Sequence, residues 1–190
     1  MPKPSVSEVV ERARAIEVLA RDDAKRLTAQ ELAEIAEEWW RGDESDDELQ
    51  IFPPRLRASL AMSRGRPLTA DVLDELVWFV ISERYRGVVN AYLKEKLERL
   101  LGRPVEVEGQ VDSLQACSCC GYLTLRERGV YLICPVCFWE DDGSTELDRF
   151  SGPNRMTLRE GRESFLSFGA SSRGALPAVD PDGARKFLKE

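Results

Sequence analysis

Two Cys-x-x-Cys pairs, Cys117 with Cys120 and Cys134 with Cys137, constrain the fold of this chain more than any other feature. Each pair offers two thiolates from one tight turn, and two such turns complete the tetrahedral set of soft ligands that a structural zinc ion takes. Thirteen residues separate the pairs, enough for a hairpin that returns the second turn to the first. All five cysteines lie between positions 117 and 137, a clustering that suits thiolates kept for metal in a reducing compartment rather than disulfides. Cys119 is surplus to a tetrahedron. It reads either as a small side chain packed beside the turn or as a reactive, exchanging ligand. CPVC alone also matches a dithiol redox motif, but no βαβ pattern surrounds it. An iron–sulfur cluster would use the same ligands and stays open at this point.

Histidine is absent from all 190 residues. That removes imidazole acid–base catalysis, histidine-dependent triads and any metal site needing an imidazole. The net charge is −7, with most of the excess acid in the first 112 residues. Neither half has the positive balance that phosphate-backbone binding requires, so nucleic acid is not the expected partner; an acidic field favours a basic protein. No apolar run reaches a membrane-spanning length. The opening MPKPSVSEVVERAR resembles neither a signal nor a transit peptide, so a cytoplasmic location is expected.

The predicted fold class is α+β: an all-helical N-terminal domain (1–104), then a small zinc-ribbon domain of β-hairpin plus helix (112–170), then a tail (171–190) with a short helix. Ser5 with Glu8, Thr28 with Glu31 and Thr157 with Glu160 have capping-box spacing and predict three helix starts. Leu32, Ile35, Ala36, Trp39 and Trp40 form one helical face, and the acidic run at 43–48 ends it. Pro53 and Pro54 suit the first turn of a third helix. VLDELVWFVI at 72–81 is apolar nearly all round and should lie at the centre, with Gly87 as its break. Val89, Leu93, Leu97, Leu100 and Leu101 line the inner face of a fifth helix that Gly102 ends. VEVEG at 105–109 is an edge strand or a linker. YLTL (122–125) and YLI with its preceding valine (130–133) read as the two strands of a hairpin, and SSRGALP (171–177) as a flexible link.

The stretch CSCCGYLTL…YLICPVCFWEDDG…NRMTLREGRESFLSFG at 117–169 closely resembles the bacterial cysteine-rich CPCC domain family. The resemblance implies a small metal-binding module, with structural zinc as its cofactor, and no established reaction. Two positions depart from the family pattern. Ser118 replaces a proline, which should loosen the first turn, and Gly161 replaces a helical alanine, which should weaken that helix slightly.

The chain therefore reads as a non-enzymatic, zinc-binding interaction protein, an immunity protein or antitoxin that neutralises a basic bacterial toxin. The alternative is a zinc-ribbon nucleic-acid-binding or transcription accessory protein, for which Arg55, Arg57, Arg64 and Arg66 would supply a basic strip. The expected zinc ligands are Cys117, Cys120, Cys134 and Cys137. The expected partner surface comprises Asp43, Glu44, Asp46, Asp47 and Glu48, an aromatic anchor at Trp39 or Trp40, and Glu140, Asp141 and Asp142. The bland reading of FWEDD is scaffold, with Phe138 and Trp139 packed under the hairpin and the carboxylates facing water or capping a turn.

Overall fold

A computed structural model describes residues 7–41, 45 and 48–190, and of Glu48 only the backbone. These divide into two compact units: one takes the chain up to Arg86 together with Lys96–Glu108, the other Gly87–Glu95 together with Gly109–Glu190. No helix among the described residues is long and apolar enough to cross a membrane.

The first unit is built around α4 (Ala70–Glu83), against which α1 (Arg12–Ala24), α2 (Ala29–Trp39) and α3 (Pro54–Met62) pack. The all-round apolar pattern of α4 is the reason: Leu76, Val77, Phe79, Val80 and Ile81 are all buried. Trp39, Phe52 and Phe79 meet edge-on with centroids 5.3–6.3 Å apart, the arrangement that ring quadrupoles favour. Trp40 is buried outright, while Trp39 is half-buried in this ring cluster. Thr28 and Glu31 form the expected capping box, and α3 begins on Pro54 as its fixed φ allows.

The chain start departs from the helical expectation. Ser5 lies outside the described residues, and Glu8 belongs to β1 (Glu8–Glu11), which pairs in parallel with β2 (Val105–Glu108). The first helix begins only at Arg12. Val105 and Val107 are buried while Glu106 and Glu108 face outward, the period-2 alternation of a one-sided strand. A parallel pair needs a long crossover, here the segment that carries α1 to α5, so each residue of the strand at 8–11 depends on a partner 97 positions further on, as Glu8 does on Val105. Its local sequence carries a helix-start signal instead. α5 (Asn90–Leu101) buries Leu93 and Leu97, but Leu101 is exposed.

In the second unit the strands are very short: β3 (Gln115–Ala116) with β4 (Leu123–Leu125), and β5 (Phe150–Ser151) with β6 (Met156–Thr157), both antiparallel. Helix α6 (Leu158–Phe168) carries the predicted Thr157–Glu160 capping box and ends on Gly169 at φ +85°. The predicted hairpin of 122–125 with 130–133 does not form. β4 pairs back onto β3, and 131–133 pairs forward with 139–141 through Tyr131 N–H to Asp141 O and Asp141 N–H to Leu132 O, both 2.9 Å. Each cysteine turn therefore closes on its own flanking strands.

Residues 171–178 are not a flexible link. Ser171 N–H donates to Cys137 O at 2.7 Å, and Ser172 caps a 3-10 turn over Arg173–Ala178. Asp180 N–H reaches Pro135 O, Leu123 N–H reaches Leu188 O, and Glu190 N–H reaches Gly121 O, at 2.8–3.0 Å. The short helix α7 (Gly183–Lys186) lies within the span where a last helix is expected, with the Gly183 backbone against Val136. Tyr92 donates to Asp182 at 3.0 Å, and burial first, then this carboxylate, pushes its phenol up to about 12.

Candidate metal centre

The two cysteine turns are built alike. In the first, Gly121 N–H donates to Cys117 O at 2.9 Å; in the second, Phe138 N–H donates to Cys134 O at 2.8 Å. The residue after each second cysteine is left-handed, Gly121 at φ +77° and Phe138 at φ +63°. Glycine takes that conformation freely, whereas a residue with a Cβ meets a cost of about 1–2 kcal/mol. The second knuckle carries that cost.

The four sulfurs of Cys117, Cys120, Cys134 and Cys137 all lie within 4.8 Å of one another, and all four residues are buried. Cys117 and Cys137 approach to 3.6 Å, as do Cys120 and Cys134. Metal–sulfur bonds of about 2.3 Å in a tetrahedron would set the sulfurs about 3.8 Å apart. The donor set fits one tetrahedral ion in both chemistry and size. Without a cation the thiols resist ionising together. The thiol of Cys134 is held low by hydrogen bonds, from Cys117 first, while those of Cys120 and Cys137 are pushed up, again by Cys117 first. The Thr124 hydroxyl sits 3.2 Å from the Cys134 sulfur, an outer contact of the kind that orients a ligand. Cys119 is buried but stands outside the four-sulfur group.

The FWEDD segment divides sharply. Trp139 is 0% exposed and Phe138 37% exposed. Asp141 is also 0% exposed, which corrects its expected place on a partner surface. Both its oxygens accept from Arg128 Nε at 2.9–3.0 Å; Gly129 N–H donates at 2.6 Å and the Ser118 hydroxyl at 3.2 Å. Arg128 also donates to Ser118 Oγ and to Ala116 O. The serine that replaces the family proline is therefore tied into this network. Asp142 accepts from Ser144 N–H at 3.0 Å. Burial works upward on its carboxyl, but bonds from Ser151 and the Ser144 amide outweigh it and hold it below the ordinary value. Glu140 lines a cleft.

The expected loop residues Asp43, Glu44, Asp46 and Asp47, and the side chain of Glu48, lie outside what the structure describes. Of the basic strip, Arg55 is within 3.7 Å of Glu75, Arg57 bonds Gln50, and Arg64 has a partner of its own. Arg66 lines a cleft beside Trp40.

Gly161 illustrates what sequence propensity misses. A Cβ added there would stand 2.7 Å from Trp139 Cζ3 and 3.6 Å from the Cys119 sulfur. Helix propensity alone predicts that Gly161→Ala stabilises by about 1 kcal/mol. The buried indole reverses the sign: thermal unfolding of the metal-loaded protein is expected to show a loss of about 1–3 kcal/mol from overpacking. A gain would mean that the indole moves aside freely.

Two paired cysteine knuckles bring four buried thiols within reach of one ion, which gives the second unit a candidate four-cysteine metal site. Residues 115–185 match the family described as Cysteine-rich CPCC, and the N-terminal half matches no family model. The match reaches past α6 into the segment that packs on both knuckles. No curated protein and no solved structure matches this chain.

Proposed function

We propose that the chain is a zinc-binding, non-enzymatic protein-interaction module that works by stoichiometric capture of a basic protein, as an immunity protein or antitoxin does. The four-cysteine cluster carries the reading. With four buried thiolates supplied by the chain, a tetrahedral ion has no open position for water or substrate, which is the mark of a structural site. Binding is then left to the surface, and a net charge of −7 favours fast, steered association with a cationic partner.

Two measurements test it. Metal analysis of protein purified without added metal is expected to give one zinc per chain. Cys119→Ser should keep that ratio and Cys120→Ser lose it, since only the latter removes one of the four clustered sulfurs. Iron, or no metal, would overturn the zinc assignment. For partner binding, tagged protein should retain a host protein at one-to-one ratio, and its association rate should fall with salt as screening shortens to about 8 Å. Tight, salt-sensitive DNA binding without such a protein would replace this reading with the nucleic-acid one.

A further inference from the structure

We infer that the cleft between the second cysteine knuckle and the 3-10 turn Arg173–Ala178 receives one long cationic side chain, lysine or arginine, from a protein partner; this deepens the partner-binding reading and rests on it. The cleft encloses about 220 Å³ and is lined by Ile133, Phe138, Glu140, Met156 and Ala175 among others. Small-molecule sites run to about 300–1,000 Å³, so this one is sized for a side chain.

Its lining is mixed: Ile133, Phe138, Pro153 and Met156 form apolar wall, Asn154, Ser171 and Ser172 add polar surface, and Glu140 brings the one carboxylate. Ile133 and Glu140 face each other across an antiparallel bridge, which sets their side chains on one face of the strand pair. The Glu140 backbone is clamped on both sides by Asn154, N–H to Oδ1 at 3.0 Å and Nδ2 to O at 2.8 Å. Yet no hydrogen bond or ion pair engages its carboxylate among the described residues. A fixed, unpaired acid beside apolar surface suits a side chain with an aliphatic stem and a charged head.

Phe138 supplies the second observation. It occupies the left-handed position that glycine fills in the first knuckle, and the residue remains 37% exposed rather than joining the core. Ile133 beside it is 49% exposed. Strain kept where the core gains little from it points to surface use, and an exposed phenyl face attracts a cation.

The test titrates nitrogen-15-labelled, metal-loaded protein with N-acetyl-arginine methylamide, N-acetyl-lysine methylamide and, as a neutral chain of similar length, N-acetyl-norleucine methylamide. The cationic probes should move the amide signals of Ile133, Phe138, Glu140 and Ala175 in a saturable way. Norleucine should bind about fivefold more weakly, the ratio expected of a partly exposed ion pair. Glu140→Gln, which keeps the backbone clamp, should erase that preference, while Ile133→Ser should weaken all three probes; unchanged metal content certifies the fold of each variant. Equal binding of arginine and norleucine, an undiminished preference in Glu140→Gln, or shifts confined to other residues would overturn the site. A partner captured with equal affinity by wild type and Glu140→Gln would remove the cleft and leave the partner reading standing. Charge-selective probe binding here with no partner recovered would do the reverse.

Discussion

On the proposed zinc assignment, removing the metal with a strong chelator is expected to unfold Gly87–Glu95 and Gly109–Glu190 while the rest of the described chain keeps its protection from hydrogen exchange. The reason is how little else holds the second unit together. Its paired strands are two or three residues long, and isolated strand pairs are marginal in water even when longer. Cys117, Cys134 and Cys137 are themselves core residues, as are Trp139, Leu125 and Leu158, so a large part of that core is thiol rather than hydrocarbon. Structural zinc contributes on the order of 10 kcal/mol or more to modules of this kind, more than a core this small supplies. Ser171, Asp180 and Glu190 donate to the carbonyls of Cys137, Pro135 and Gly121, and these bonds should be lost with the metal. The first unit has its own core of Leu19, Leu56, Leu60, Leu76 and Ile81. Exchange followed by mass spectrometry, with and without chelator, separates the outcomes. Uniform loss of protection would mean that the helical unit also depends on the metal, and unchanged protection would mean that metal is not what holds 109–190.

What the sequence revealed depended on how local each signal was. Thr28 with Glu31 and Thr157 with Glu160 act within one helical turn, and both boxes form as their spacing predicts. The cysteine set was legible for a related reason: thiolate chemistry and turn geometry are both local to a Cys-x-x-Cys, and only the meeting of two turns is long-range. Pairing of strands was not legible. Glu8–Glu11 finds its partner across five helices, and YLTL pairs backward to Gln115–Ala116 rather than forward, a choice that β-propensity does not encode. The carboxylates of FWEDD show a third kind of limit. Three adjacent acids look equivalent, yet Asp141 is sealed inside, Asp142 caps a turn and Glu140 lines a cleft. The deciding partner of Asp141 is Arg128, thirteen residues earlier in a loop with no motif of its own. Gly161 reads as a weak point in a helix until Trp139 is seen to fill the space beside it.

Arg128→Met should cost the second unit about 3 kcal/mol, because it leaves a carboxylate buried with its charge uncompensated. Removing one partner of a buried ion pair typically costs about 3–5 kcal/mol. The Arg128 side chain is 31% exposed while that of Asp141 is fully buried, so water can partly replace the guanidinium and the low end applies. Methionine keeps the apolar length but none of the donors to Asp141, Ser118 or Ala116. Gly129 N–H and the Ser118 hydroxyl still reach the carboxylate, which should preserve the fold and make the variant measurable. In thermal unfolding of the metal-loaded protein the transition of this unit should fall by on the order of 15 °C, given about 4–8 °C per kcal/mol for a small domain. Arg128→Lys should lose less, since it keeps a point charge but not the fork that spans both oxygens. The informative comparison is the double variant Arg128→Met/Asp141→Asn. Asparagine removes the charge and retains an acceptor for Gly129, so the pair should recover about 1–2 kcal/mol of the single variant's loss. If the double variant is no more stable than Arg128→Met alone, the buried charge is not the cause. The loss would then lie in the arginine's bonds to Ser118 and Ala116, which join the first knuckle to the loop that follows it.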